Sequence, residues 1–263
     1  MAKFNCNFIS YTLKRTVDIT VVIPTPTIPE SLGLSEVKPV HTPKEKYPVL
    51  YLLHGFGNNH ATWSGYSNVE LFAEERNIAV VMISGENKAY VNHPGGDQFY
   101  EFLATELPDF VNGMFPISEK PEHTYIAGLS MGGFGTLVHA LNRPDRFCAF
   151  GAFSAAISLN PSTLIGGEEK EIDPMFDPIT LARNLAKEGK VFPKGYIACG
   201  EEDFLYEANV EFVEQLKGMG VDVTWVSLPE YQHEWRFWNL QVEAFLDWIP
   251  RTDAYATVGK RKV

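Results

Sequence analysis

The feature that most constrains this chain is a series of short apolar runs separated by segments with helical periodicity. Runs this short, without polar alternation, are typical of strands buried on both faces of a parallel sheet. They fall at 49–53, 78–83, 124–127, 148–153, 196–199 and 223–228. Helical stripes fall between or after them, at 99–114, 212–219 and 237–248. The alternation predicts an α/β fold, a mostly parallel sheet with helices on both faces.

Both ends of the chain and one internal segment depart from this alternation. Residues 8–23 are rich in β-branched and aromatic side chains and predict one or two antiparallel strands, for a total of about eight. Six prolines between Pro24 and Pro48 predict a long irregular connection. The alternation of strands and helices is interrupted at about 154–193, which predicts that this segment makes an excursion over one end of the sheet. We expect a single domain over 1–250 and a polar tail, 251–263, that frays.

Composition limits the classes of function. The 33 acidic and 22 basic residues give a formal net charge of −11, so we expect neither nucleic acid nor a membrane surface as partner. Three cysteines are too few and too scattered for a disulfide framework, and no metal-ligand spacing occurs, so we expect no metal and no cofactor. The N-terminal residues lack the layout of a signal peptide, which predicts a cytoplasmic protein, with a processed secreted form as the alternative.

The strongest chemical signal is G-L-S-M-G at 128–132, between a predicted strand and a helical pattern. A strand, a sharp turn and a helix in this order form a nucleophile elbow, which projects Ser130 from the carboxyl edge of the sheet. The turn leaves room only for small residues beside the serine. It also directs the N–H of Met131 and the positive end of the helix toward the space beside the hydroxyl.

A serine hydroxyl needs a general base, and the base needs an orienting acid. His233 follows the predicted strand 223–228, whereas the other histidine after Ser130, His139, lies inside the helix behind the elbow. Asp203 follows the predicted strand 196–199 and is the preferred acid, although Glu201 and Glu202 share its loop. The order serine, acid, histidine is the one this arrangement requires.

Acyl transfer also needs hydrogen-bond donors for the oxyanion that develops on the carbonyl. The N–H of Met131 is one, and the loop H-G-F-G-N-N at 54–59 is expected to supply the other, through the N–H of Phe56. We expect His54 to be a structural hydrogen-bonding residue of this turn.

Four segments together resemble a known family: HGFGNNHATW at 54–63, GLSMGGFG at 128–135, CGEEDFLY at 199–206 and HEWRFW at 233–238. They resemble the esterase D-like branch of the α/β-hydrolases, which includes tributyrin esterases, feruloyl esterases and S-formylglutathione hydrolases. The resemblance covers about residues 8–250. It implies an α/β-hydrolase fold with a small cap insertion at 154–193. It also implies functional residues: Ser130 as nucleophile, Asp203 as acid, His233 as base, and Phe56 and Met131 as the oxyanion hole.

The activity implied is that of a serine carboxylesterase acting on short-chain acyl or hydroxycinnamoyl esters. Trp63, Trp235 and Trp238 are candidates for the acyl site, and equally for core aromatics that anchor loops. The alternatives are a thioesterase of the S-formylglutathione hydrolase type, an acyltransferase with the same triad, and a non-catalytic binding protein. The last is disfavoured because the chain retains both serine and histidine. We expect a small-molecule ester as partner, and the sequence leaves a homodimer open.

Overall fold

The computed structural model describes residues 1–161 and 173–263. These residues form an eight-stranded sheet in the order β1-β2-β4-β3-β5-β6-β7-β8. The first two strands are antiparallel, β2 is also antiparallel to β4, and all other pairs are parallel. The strands are β1 Ala2–Ser10, β2 Arg15–Ile23, β3 Val49–Leu53, β4 Ala79–Ile83, β5 Thr124–Leu129, β6 Ala149–Phe153, β7 Lys194–Gly200 and β8 Val223–Leu228. The expected number of strands and the mostly parallel pairing are both present.

Helices cover both faces of this sheet. They are α1 Ile28–Ser31, α2 Thr62–Tyr66, α3 Val69–Arg76, α4 Phe99–Glu101, α5 Leu107–Met114, α6 Met131–Asn142, α7 Pro178–Lys187, α8 Tyr206–Gly218 and α9 Trp235–Trp248. Alternate residues of β3 belong to different hydrophobic clusters: Tyr51 packs on the face of α5 to α8, and Leu52 on the face of α3 and α9. Because both faces are buried, β3 is continuously apolar rather than alternating.

The β1–β2 hairpin is longer than expected and begins at Ala2. Its turn is held by the buried carboxylate of Glu106, which accepts hydrogen bonds from Ser10 Oγ (2.7 Å), Tyr11 N (2.8 Å) and Thr12 N (2.9 Å). Glu106 ends a π-helical turn, Phe102–Glu106, that separates α4 from α5. Pro108 lies in the first turn of α5, where its missing N–H costs little. The wider turn directly before α5 interrupts the helical stripe at 99–114.

The C-terminal tail, which is expected from the sequence to fray, makes specific contacts with the rest of the fold in the structure. Arg261 donates to both carboxylate oxygens of Glu30 (2.7 and 3.0 Å), to Thr25 O (2.8 Å) and to Asn77 Oδ1 (3.0 Å). These partners belong to the proline-rich connection and to the turn before β4. The tail therefore binds the proline-rich connection and the turn before β4 at the end of the sheet opposite the one that carries Ser130.

The insertion between β6 and β7 is described only in part. Helix α7 lies in this insertion and packs on α6. Residues 162–172 of the expected cap lie outside the described residues. Within 1–161 and 173–263, no helix is long and apolar enough to cross a membrane.

Candidate active site

Ser130 lies at the tight turn from β5 into α6. Its backbone has φ 53° and ψ −116°, a conformation that is costly for any residue with a side chain. Three backbone hydrogen bonds hold it: Ser130 N–H donates to Phe153 O (2.9 Å), and Ser130 O accepts from Phe134 N (3.0 Å) and Ala156 N (3.1 Å). The surrounding chain therefore enforces the elbow geometry that the motif predicts.

The two glycines of the motif allow contacts that no side chain permits. A Cβ at Gly128 would lie 2.4 Å from Gly132 O, and one at Gly132 would lie 2.5 Å from Leu53 O and 2.6 Å from His54 O. Ordinary contacts of a Cβ atom lie at 3.4–4 Å. The N-terminus of α6 is thereby pressed against the end of β3, where the loop that carries Phe56 begins.

Asp203 and His233 meet beyond the carboxyl ends of β7 and β8. His233 Nδ1 lies 2.9 Å from Asp203 Oδ2, and the other carboxylate oxygen accepts from Leu205 N (2.9 Å). The neighbouring acids, Glu201 and Glu202, bond instead to Ser227 Oγ and Gln232 Nε2 at the surface. Of the three carboxylates in this loop, Asp203 is the one that contacts the imidazole.

Burial alone would raise the pKa of the Asp203 carboxyl. Hydrogen bonds from His233, from the Leu205 N–H and from the Ser154 hydroxyl outweigh burial, and the pKa lies below its ordinary value. A charged carboxylate fixes the His233 proton on Nδ1, which leaves Nε2 free to accept a proton. Among the described contacts, no hydrogen bond of 3.5 Å or less joins His233 to Ser130. Catalytic hydrogen bonds are often long without substrate and tighten only when substrate is bound.

The loop after β3 is organised by His54, which is 1% exposed. Its Nε2 accepts from Gly85 N–H (2.7 Å), so the ring proton is on Nδ1, which donates to Gly55 O (2.7 Å). Burial lowers the pKa of His54 to about 4, and the ring is neutral at pH 7. The structural role expected for His54 agrees with these contacts.

The position of the Gly55 carbonyl decides where the next N–H points. Because the peptide is planar, an oxygen held by His54 turns the N–H of Phe56 the opposite way. That N–H has no acceptor in the described part of the chain. The following Gly57 N–H donates to Asn87 Oδ1 (2.7 Å), so the loop is fixed on both sides of Phe56.

The three tryptophans occupy different positions. Trp63 is 1% exposed and donates to Leu53 O (3.0 Å), and Trp238 is 5% exposed and donates to Ser154 Oγ (3.1 Å). In the structure both are anchoring residues of the core rather than exposed substrate contacts. Trp235 is half-buried and stacks on the exposed ring of Tyr66, with ring centroids 5.3 Å apart.

Two side chains near His233 have no signal in the sequence that would single them out. Phe204 is 79% exposed and lies beside the imidazole, with ring centroids 4.7 Å apart. Ser154 is fully buried, follows an ordinary buried strand and accepts a hydrogen bond from Trp238, whose ring contacts the imidazole. Phe204 lies in the segment 199–206, directly after Asp203, but nothing in that segment indicates that its ring contacts the imidazole, and Ser154 belongs to no recognisable motif.

A mostly parallel eight-stranded sheet with a strained serine at a strand-to-helix turn defines the α/β-hydrolase class, and known proteins agree. The family model named Esterase matches residues 27–246. An acetyl esterase of Caldicellulosiruptor saccharolyticus is 30% identical over 95% of this chain and 99% of its own. The fluorophosphonate-binding serine hydrolase FphF of Staphylococcus aureus is 29% identical with a TM-score of 0.82, covering 94% of this chain and 97% of its own. The S-formylglutathione hydrolase FrmB of the same organism is 28% identical with a TM-score of 0.80, covering 94% and 98%.

The chain therefore belongs to the Esterase family of the α/β-hydrolase superfamily. It is a carboxylic ester hydrolase of the serine esterase type, and its substrates are small-molecule esters. The fold and the family resemblance expected from the sequence are both confirmed.

Proposed function

We propose that this protein hydrolyses short-chain acyl esters through a triad of Ser130, His233 and Asp203. The observation that carries the proposal is the 2.9 Å contact between His233 Nδ1 and the buried carboxylate of Asp203, at the sheet edge from which Ser130 projects. A neutral imidazole held in this tautomer has its second nitrogen available as a base. The N–H groups of Phe56 and Met131 are the proposed oxyanion donors.

The reaction proceeds in two halves. His233 Nε2 takes the proton of Ser130 as the serine oxygen attacks the ester carbonyl, and the resulting oxyanion is bound by the two backbone N–H groups. The intermediate collapses, the alcohol leaves with the proton held by His233, and an acyl-serine remains. Water then attacks the acyl group while His233 accepts its proton, and collapse of the second intermediate returns that proton to Ser130 and releases the carboxylic acid.

The acyl group proposed first is acetyl, because the curated relative at 30% identity is an acetyl esterase. Hydroxycinnamoyl esters are the second candidate. The exposed Tyr66 stacked on Trp235, and the exposed Phe204 beside His233, form an aromatic rim on which a phenolic acyl group can stack. A comparison of kcat/KM discriminates among these substrates. It uses acetyl, butyryl, octanoyl and feruloyl esters, and S-formylglutathione as the thioester. Adding excess alcohol tests acyl transfer to an acceptor.

The proposed triad is tested with Ser130→Ala. Hydrolysis of p-nitrophenyl acetate should fall by about 10⁴-fold or more, and labelling by a fluorophosphonate probe should disappear, while the thermal unfolding transition remains. Ser35→Ala, in the proline-rich connection, is the matched control and should keep both activities. Hydrolysis retained by the Ser130 variant would exclude this serine as the nucleophile.

A further inference from the structure

The backbone between β4 and α4 has a costly conformation close to the loop that carries Phe56. Four of its residues have φ in the left-handed region although none is glycine: Glu86 (48°), Asn87 (55°), Ala89 (52°) and Tyr90 (61°). They form two successive turns, closed by hydrogen bonds from Lys88 N to Gly85 O (2.9 Å) and from Val91 N to Lys88 O (3.3 Å). Turns with positive φ at both central positions favour glycine, asparagine and aspartate, so most of these side chains are unfavourable there.

Tertiary contacts of Tyr90 hold this segment in place. Its hydroxyl donates to His54 O (2.9 Å), and its carbonyl accepts from His139 Nε2 (2.9 Å). Its ring is fully buried, and a Cβ at Gly85 or at Gly135 would lie 2.5 Å from that ring. Gly85 N–H in turn donates to His54 Nε2 (2.7 Å). The segment is therefore fixed against the loop after β3.

The first of the two turns brings the Asn87 side chain to the Phe56 loop. Asn87 Oδ1 accepts from Gly57 N–H at 2.7 Å. A backbone N–H can only donate, so the atom of the side-chain amide that faces it is the oxygen. Asparagine also tolerates a left-handed backbone better than most residues. It therefore combines the backbone that the turn requires with an acceptor that glycine lacks.

Hydrogen bonds fix the peptide groups on both sides of Phe56. The preceding peptide is held by its carbonyl, Gly55 O, which accepts from His54 Nδ1 (2.7 Å). The following peptide is held by its N–H, that of Gly57, which binds Asn87. Because each peptide is planar, fixing both determines φ and ψ of Phe56. One of these bonds alone would leave the loop free to rotate about Phe56, and the second removes that freedom.

We propose that Asn87 is a positioning residue for the oxyanion site, which holds the loop so that the Phe56 N–H points at the carbonyl oxygen of the ester; this inference rests on the proposed function. The strained backbone at 86–90 is the conformation that brings the Asn87 oxygen to Gly57. A donor held in place before the reaction stabilises the oxyanion more than one that must reorient as charge develops. Asn87 should therefore act on the transition state rather than on binding of the ester.

The test uses Asn87→Gly. Glycine adopts a φ of 55° more easily than asparagine, so a role in the turn alone predicts a stable variant with full activity. A positioning role predicts a loss of activity, because glycine offers no acceptor to the Gly57 N–H.

The matched control is Asn77→Gly. Asn77 also has a left-handed backbone, with φ 53°, and its Oδ1 also accepts a hydrogen bond, from Arg261 (3.0 Å). It lies in the turn before β4, at the opposite end of the sheet. The two variants therefore make the same chemical change at two ends of the fold, and thermal unfolding monitors the stability of each.

Asn87→Gly should lower kcat for p-nitrophenyl acetate by about tenfold or more with KM nearly unchanged. This is less than the loss of about 10²–10³-fold that follows removal of an oxyanion donor, because the Phe56 N–H is displaced rather than removed. Asn77→Gly should keep kcat within about twofold of the wild type.

A readout without substrate separates this inference from the proposed function. In Asn87→Gly the Gly57 N–H should exchange with solvent faster and the Phe56 amide resonance should shift, whereas Asn77→Gly should leave both unchanged. If the wild type hydrolyses no ester but these changes occur, the proposed function fails and the positioning of Phe56 by Asn87 stands. If hydrolysis depends on Ser130, yet a folded Asn87→Gly keeps kcat within about twofold or leaves both amide signals in place, the inference is overturned.

Discussion

Gly132 offers a sharp test of how the fold builds the oxyanion site. In Gly132→Ala the new Cβ would lie 2.5 Å from Leu53 O and 2.6 Å from His54 O, about 0.9 Å short of the closest ordinary contact. Both neighbours are backbone atoms, so no rotamer change can relieve the clash. The N-terminus of α6 and the end of β3 must therefore separate, and the two proposed oxyanion donors, on Met131 and Phe56, lie on opposite sides of that contact.

The magnitude follows from this displacement. A misplacement of about 1 Å in a catalytic constellation costs on the order of 10²-fold in rate, so kcat for p-nitrophenyl acetate should fall by about that factor. The same overpacking should lower the free energy of unfolding by about 1–3 kcal/mol. Because the serine and its base remain, labelling by a fluorophosphonate should continue at a lower rate rather than stop.

The assay compares kcat, KM and the labelling rate of Gly132→Ala with those of Gly65→Ala. Gly65 lies in α2, where an added Cβ meets no atom within 4 Å, so its variant should resemble the wild type in activity and stability. A folded Gly132→Ala with kcat within about twofold of the wild type would refute the reasoning. It would mean that the contact between α6 and β3 does not set the oxyanion geometry.

Two further predictions concern stability. Burial lowers the pKa of His54 and of His139 to about 4 in the folded protein, whereas in the unfolded chain both protonate below about pH 6.5. Between these two pH values the unfolded state therefore binds more protons than the folded state. The free energy of unfolding should fall as the pH drops through this range. In urea unfolding, His139→Gln should reduce the slope of the unfolding free energy against pH by about one proton, and the exposed His41→Gln should leave that slope unchanged. An equal slope in the wild type and in both variants would contradict this prediction. Arg261→Gln should cost about 3 kcal/mol of unfolding free energy, because Glu30 is 5% exposed and would lose its cation, while kcat stays unchanged. The exposed Lys262→Gln is the control, and equal stability of both variants would show that the ion pair contributes nothing.

The parts of this protein that the sequence predicts well are those encoded locally. The strand, turn and helix around Ser130 occupy consecutive residues, and the bounds of β3 and β8 match their apolar runs. His233 follows from chain order, since the loops after parallel strands share one edge of the sheet. Within the acid loop, the sequence favours Asp203 over Glu201 and Glu202, and in the structure it is the Asp203 side chain that reaches the imidazole.

The features that the sequence does not predict depend on contacts between distant segments. Arg261 is an ordinary residue in a polar tail until the fold brings it to Glu30, 231 positions away. Trp63 and Trp238 are aromatic residues close in sequence to site motifs, but each indole N–H points inward to a buried acceptor. Proximity to a motif along the chain therefore does not establish that a side chain faces substrate.

Two residues with strained backbones illustrate the difference between local causes and contacts with distant segments. Ser130 and Ser154 both have positive φ, and they follow adjacent strands, β5 and β6, at the same edge of the sheet. The conformation of Ser130 is indicated in the sequence by nearby glycines, which the close packing around it requires. Ser154 has no glycine beside it, and its conformation is held by hydrogen bonds to β7 and α9. A strained residue without a local sequence cause is stabilised by the tertiary structure around it. At Ser154 that structure is β7 and Trp238 of α9, whose ring contacts His233, so the strain marks a tertiary contact that no motif indicates.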